Sequence, residues 1–175
     1  MQTIFNKSTL LLLTCLALSG VHATWGAVFV LKGRLVDSSI SIRIGSGGKN
    51  VSTVTFDVPV ANTGDGTPVA GSRPINVQLE IRSPASNPLV GYLTADSSLP
   101  LSNGAGNSIP LTDISWTSKD GSIPSGTFSG ISNQLLGSFT SPARISDMHR
   151  YSFANDTLYD PGTYSGQIVY TWSAP

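Results

Sequence analysis

With 175 residues, ten basic and ten acidic side chains and one cysteine, the chain has about one domain's length and no net charge. That balance argues against nucleic acid and against an anionic membrane surface as partners, since both select for clustered Lys and Arg. Eighteen glycines and eleven prolines interrupt the chain too often for long helices and point to short strands joined by turns.

The first element is a leader. Lys7 precedes an apolar run over residues 10–18, and Val21-His22-Ala23 puts small residues at the two positions a signal peptidase reads. About nine apolar residues cannot cross a bilayer core that needs roughly 20, so residues 1–23 read as a secretory signal peptide and not as an anchor. A lipoprotein signal at Leu12-Leu13-Thr14-Cys15 would have threonine where a small residue is wanted and would cut the apolar run in half. Cleavage after Ala23 leaves 152 residues, nine basic and ten acidic, with His149 the one remaining histidine and no cysteine. Such an exported domain has no disulfide and depends on burial and strand pairing for its stability.

The mature chain opens with "TWGAVFVLKGRLVDSS". Ala27, Phe29, Leu31, Gly33 and Leu35 form one face, and Val28, Val30, Lys32, Arg34 and Val36 the other. Strands are predicted at 28–36, 39–44, 51–60, 75–82, 89–94, 109–116, 127–135, 151–154 and 163–172 from runs rich in Val, Ile, Thr and aromatics. In "SSISIRI", Ile40, Ile42 and Ile44 share a face; in "INVQLEI", Ile75, Val77, Leu79 and Ile81 do. One apolar and one polar face imply antiparallel sheets packed on one side. Turn clusters such as "GSGGKN", "NTGDGTP", "SNGAGN" and "SKDG" separate them. About nine short strands of this kind suggest an all-β, immunoglobulin-like antiparallel β-sandwich over residues 37–175. The echo between "PSGTFSGI" and "DPGTYSGQI" reads as two hairpins using the same turn-to-strand chemistry.

The last predicted strand lies in "DPGTYSGQIVYTWSAP". Tyr164, Gly166, Ile168, Tyr170 and Trp172 fall on one face, against Thr163, Ser165, Gln167, Val169, Thr171 and Ser173. Only three residues follow Trp172, so this strand either forms an edge or expects something to pair beside it.

Residues for catalysis are sparse. His149, in "DMHRY", has the surroundings of a surface or capped residue. No set of His, Cys and carboxylate spacings suits zinc. The "GTFSG" and "GTYSG" segments are not nucleophile elbows, because the serine sits one place late at a strand start. Nine of the ten acidic residues are Asp, mostly in turns (Asp65, Asp120, Asp160), where such side chains cap their own backbone. No calcium motif is present. Asn50-Val51-Ser52 and Asn155-Asp156-Thr157 match the glycosylation pattern, which matters only in a eukaryotic secretory path. The expectation is therefore no enzyme and no cofactor or metal.

The two ends are read together. A long apolar-alternating start and a strong last strand are complementary edges, and β-strand addition between copies would satisfy both. A head-to-tail contact of that kind propagates into a fibre. A signal peptide, the alternating start, a mature length near one domain and a last strand "PGTYSGQIVYTW" make the chain resemble chaperone–usher pilus (fimbrial) subunits. Within that group it is most similar to the cysteine-free, alpha-type pilins, which also carry a mid-chain strand like "NSIPLTDISW"; the disulfide of the classical pilins is missing here. The resemblance implies an incomplete immunoglobulin fold lacking its last strand, a periplasmic chaperone that lends one, and an outer-membrane usher. It also implies neighbouring pilus subunits as partners and export through the periplasm to the cell surface, with adhesion to a host or surface receptor open to such subunits.

On this reading residues 24–36 are the donor segment, with Ala27, Phe29, Leu31, Gly33 and Leu35 entering a neighbour. The strand carrying Tyr164, Gly166, Ile168, Tyr170 and Trp172 borders the acceptor groove. The opposite donor face would bury Lys32 and Arg34, which is expensive without partners. The alternative is that 27–36 is the first strand of a closed sandwich, paired within its own subunit. That would be a monomeric secreted carbohydrate-binding module, with Trp25 and Trp116 as the aromatics available for sugar stacking.

Overall fold

The computed structural model describes residues 38–45, 52–84 and 86–174, together with the backbone course of 30–32. The predicted signal peptide and most of the predicted donor segment, including Ala27, Phe29, Gly33 and Leu35, lie outside these residues. The described chain is all-β. Its strands are β1 (Val30–Lys32), β2 (Ser39–Ile44), β3 (Val69–Ala70), β4 (Ile75–Arg82), β5 (Val90–Asp96) and β6 (Leu101–Ser102). They continue as β7 (Ser108–Ile109), β8 (Ile114–Ser118), β9 (Gly126–Thr127), β10 (Gln134–Thr140), β11 (Ala143–Phe153) and β12 (Val169–Ser173). Among the described residues helix is confined to two single 3-10 turns, Val60–Asn62 and Leu111–Asp113.

One sheet runs β1-β12-β5-β10. A second runs β2-β4-β11-β8-β9, with β3 also on β11, and β6 and β7 form a small ribbon. Among the described residues every pairing is antiparallel except that of β1 with β12, which is parallel and sets Val30, Leu31 and Lys32 against Thr171, Trp172 and Ser173. β4 shows why these segments are strands. Ile75, Val77, Leu79 and Ile81 are buried while the residues between them are not, so one-sided burial stabilises the extended form. Ile40, Ile42 and Ile44 on β2 point the same way, with Ile44 fully covered.

Buried side chains of both large sheets belong to one cluster, which includes Leu79, Ile81 and Tyr151 from one and Leu93, Tyr170 and Trp172 from the other. Each large apolar side chain buried this way contributes about 1.5–3 kcal/mol. The cluster also contains hydrogen bonds that cross between the sheets. The Trp172 indole N–H donates to the Glu80 carbonyl at 3.4 Å, and the Tyr151 and Tyr170 hydroxyls lie 2.7 Å apart.

Several predicted strands are redrawn, each for a local reason. The span 109–116 divides at Pro110, which has no N–H for a ladder and precedes the 3-10 turn Leu111–Asp113. The span 127–135 divides because Gly130 and Asn133 take positive φ, 70° and 60°, turning the chain between β9 and β10. The short strand expected at 151–154 is the end of the eleven-residue β11. Its first half hides from a hydrophobicity pattern because two inward positions are Asp147 and His149, exposed by only 1% and 0%. Finally, the sequence predicts continuous strands at 51–60 and 163–172. Among the described residues, 52–59 enter no ladder and the last strand is laddered only from Val169.

Candidate functional site: a groove between two unladdered walls

The two segments that look like strands and do not ladder face each other across an apolar groove of about 750 Å³. One wall is 52–58. Its burial alternates, with Val54, Phe56 and Val58 half-buried and Thr55 and Asp57 exposed, the pattern of a strand resting one face on a core. Among the described residues its backbone contact to the body is with Ser72, whose N–H donates to the Thr55 carbonyl at 2.9 Å and whose hydroxyl accepts from the Thr55 N–H. Gly71 sits beneath this wall, and a Cβ there would overlap Val54 and crowd the Tyr151 carbonyl.

The other wall is 163–168, where Tyr164, Gly166 and Ile168 are half-buried. Its one described pairing is the bridge between Ser165 and Ser102, which exchange backbone hydrogen bonds at 2.7 and 2.8 Å. Gly166 is needed at that crossing, since an added Cβ would meet Leu101 and the Pro100 carbonyl. Tyr170 and Trp172, farther along the same face, are 4% and 0% exposed and belong to the ladder of β12. The five predicted acceptor residues therefore share one inward face, but three stand on the open wall and two in the closed sheet.

The floor is core. Ile75, Ile114 and Tyr151 line it together with Tyr170. The buried hydroxyl pair makes this floor resistant to ionisation. Burial pushes Tyr151 up to about 12, partly offset by its bond to Tyr170. Burial, with the neighbouring Tyr151, raises Tyr170 well above the usual tyrosine value. Nearby, the Tyr159 hydroxyl donates to Asp113 at 2.6 Å; partial burial and then that carboxylate push its pKa up to about 12.

Asn155 fixes one end of the groove. Buried and at φ 55°, it accepts from the Gly64 N–H at 3.0 Å. Its amide N–H group donates to the Asn62 and Thr67 carbonyls and to Asp65. The Asn155 of the glycosylation pattern is thus wholly engaged in holding the 62–67 loop. Asp65 does cap its own turn, accepting from the Thr67 N–H at 2.7 Å, whereas Asp160 instead accepts from the Asn107 side chain.

A second polar cluster lies away from the groove. The Asp147 carboxylate accepts from the Ser118 hydroxyl and from the backbone N–H groups of Asp120, Ile123 and Met148, at 2.7 to 3.2 Å. Burial pushes its pKa up, but those hydrogen bonds outweigh it and hold the carboxyl below the usual range. His149 is neither a surface nor a capped residue. It is fully buried, neither ring nitrogen has a hydrogen-bond partner, and Trp116 stacks on it at 6.2 Å. Burial lowers its pKa, only partly opposed by Asp147, so the ring is neutral and packs as an apolar plate.

Of the other sequence candidates, Trp116 is 4% exposed and donates its indole N–H to the Pro124 carbonyl, leaving no face for a sugar; Trp25 lies outside the described residues. Glu80 pairs with Arg82 on the outward face of β4. Among the described residues no group of three or more His, Cys, Asp or Glu could hold a metal ion, and no helix is long and apolar enough to cross a membrane. Leu31 stands in β1 beside β12, within the same chain.

No protein-family model matches the chain, and no curated protein matches it either.

Proposed function

We propose that this protein is a structural subunit of a bacterial surface pilus: an immunoglobulin-like β-sandwich left one strand short, whose groove takes the N-terminal segment of a neighbouring copy. The observation that carries the reading is the pair of walls at 52–58 and 163–168. The first has the alternating burial of a strand over Val54–Val58 and the second sets Tyr164, Gly166 and Ile168 half-buried along one face; among the described residues neither has a ladder across the groove, and the floor between them is apolar core. Unmet backbone donors and acceptors on a wall are costly if covered by anything other than a strand. An added strand would meet them and set every second side chain onto the floor. The strand order fits the same reading, because β12 is bordered on one side by β5 and, among the described residues, on the other by the three residue pairs of β1.

In this reading the donor is residues 24–36, through Ala27, Phe29, Leu31, Gly33 and Leu35. Each large apolar anchor contributes on the order of 1.5–3 kcal/mol, so several together with the ladder make a contact that scarcely dissociates. Export through the periplasm, a chaperone lending a strand, an outer-membrane usher and contribution to adhesion follow from the same reading. The test is export of the full chain with and without a cognate chaperone and usher. Leu31→Asp should abolish polymers yet leave the subunit able to accept a donor. Deletion of 24–36 should give a monomer that a peptide of that sequence stabilises. A deletion variant that unfolds and ignores the peptide, beside a wild-type protein that stays monomeric, would sink the reading.

A further inference from the structure

We infer that the outward face of the β2-β4-β11 sheet binds an acidic saccharide, a sugar unit bearing carboxylate or sulfate, held between Arg43 and Arg144. The site lies on the far side of its sheet from the core and stands apart from whether copies assemble. It starts from register. Ser41 pairs with Glu80 and Glu80 with Arg144, while Arg43 pairs with Gln78 and Gln78 with Ser146. Paired residues in a ladder share a face, so these six side chains form two adjacent rows across three strands. They alternate with the buried Leu79 and Ile81 and therefore point away from the core. All six line one hollow of about 210 Å³. The chain's overall charge balance hides this cluster, because its arginines are dispersed in sequence and the sheet collects them.

Charge decides what the hollow can hold. Arg82 donates from Nε and Nη2 to one oxygen of Glu80, at 2.8 and 2.6 Å. That bond first, and the charges of Arg82, Arg144 and Arg43 after it, hold the Glu80 carboxyl below its usual range. Glu80 is thus ionised and already taken by Arg82. Arg43 and Arg144 are exposed and, among the described residues, make no ion pair. Three guanidinium groups around one carboxylate leave this face cationic.

The neighbours of the two arginines favour a sugar. Ser41, Gln78 and Ser146 are exposed, and their hydroxyl and amide groups both donate and accept, as sugar hydroxyls require. A guanidinium fork matches the paired oxygens of an anionic group. From the strand and residue spacings, the two arginine Cα atoms stand about 12 Å apart, so long side chains from both reach one unit between them. A protein partner fits poorly, since protein interfaces centre on aromatic or aliphatic anchors. Among the described residues, none of the large exposed apolar side chains lies on β2, β4 or β11. The hollow is smaller than the roughly 300–1,000 Å³ of pockets that enclose a drug-sized ligand. It therefore takes one unit of a longer acidic chain lying across the sheet. On the pilus reading, and only there, the site recurs along a fibre and gains strength by avidity.

The test uses the exported full chain and three immobilised oligosaccharides: a sulfated glycosaminoglycan fragment, a polyuronate fragment and a neutral dextran fragment. One or both acidic fragments should bind and dextran should not, and the fragment that binds identifies the anion. Raising salt from about 0.05 to about 0.5 M should weaken binding by about tenfold. Arg43→Gln and Arg144→Gln should each weaken it by about tenfold or more, with an unchanged melting temperature because both side chains are exposed. Glu80→Gln should strengthen it severalfold by removing the one like charge. Arg73→Gln removes the same charge from an exposed position outside the hollow and should change binding by less than about twofold. An equal loss in Arg73→Gln would reduce the interaction to net charge and overturn the site. So would silence from both acidic fragments, or a polyglutamate peptide that binds as tightly as they do. These outcomes are read on single copies, so the pilus reading stands or falls on its own polymerisation test.

Discussion

The Tyr151 hydroxyl lies 2.7 Å from the Tyr170 hydroxyl, both out of reach of water, one on β11 and the other on β12. The pair joins the two large sheets through polar atoms within an apolar core, directly beneath the groove. Replacing either with Phe leaves the other hydroxyl buried and unpaired, which costs about 1–3 kcal/mol. Replacing both removes the orphan. Tyr170→Phe and Tyr151→Phe should each lower the urea midpoint, and the double variant should lose clearly less than their sum, as a double-mutant cycle would measure.

The same pair makes the fold sensitive to alkali. An unfolded tyrosine ionises near 10, whereas Tyr151 and Tyr159 are held up to about 12 and Tyr170 well above the usual value. Stability from these groups is fully present below the unfolded value and is lost as pH rises from there through the folded ones. Phenolate absorbance should show three of the five tyrosines resisting ionisation until the protein unfolds, and a Tyr151→Phe/Tyr170→Phe variant should retain its melting temperature farther into alkali.

Gly91 and Trp172 form a second dependent pair. Trp172 is fully buried and its indole lies across Gly91, where an added Cβ would overlap three ring carbons. Overpacking a tight core costs about 1–3 kcal/mol, and a ring wedged between sheets has little room to shift. Gly91→Ala should therefore destabilise at the upper end of that range. Combining it with Trp172→Leu should recover part of the Gly91→Ala loss; strict additivity would show that the ring is not what excludes the methyl group.

Acid should act through His149 and Asp147 together. His149 has a folded pKa below its unfolded value of about 6.5, so stability is present above that value and falls as pH drops through it towards the folded one. Asp147 is depressed too, and its contribution is lost only as pH falls below the usual carboxylate range. Stability against pH should decline in two stages. His149→Phe should remove the first stage and, by deleting an unpaired buried polar group worth roughly 1–3 kcal/mol, leave the protein no less stable at neutral pH. Asp147→Ala orphans four donors and should be the most destabilising single change on β11.

Asn155→Ala should cost about 2 kcal/mol or more, because the carbonyls and N–H of the 62–67 loop lose their shared partner. The loss should appear first as faster hydrogen exchange over 62–67, ahead of global unfolding.

What the sequence determined by itself was periodicity. The step-of-two burial of Ile75, Val77, Leu79 and Ile81 and of Ile40, Ile42 and Ile44 is local, and it made β4 and β2 legible to the residue. It also identified the inward face of 163–172, since alternation follows from the backbone's pleat and not from any neighbour. Three things needed the tertiary structure. Asp147 and His149 face inward because hydrogen-bond donors from 118–123 and the Trp116 ring meet them there, contacts between residues distant in sequence. Asn155 is a loop clamp because the chain returns to the 62–67 loop some ninety residues later. Among the described residues the walls 52–58 and 163–168 have a strand's pattern without a strand's ladder, because alternation is a property of one segment and a ladder is a property of two. Only the three-dimensional arrangement decides whether the second is beside it.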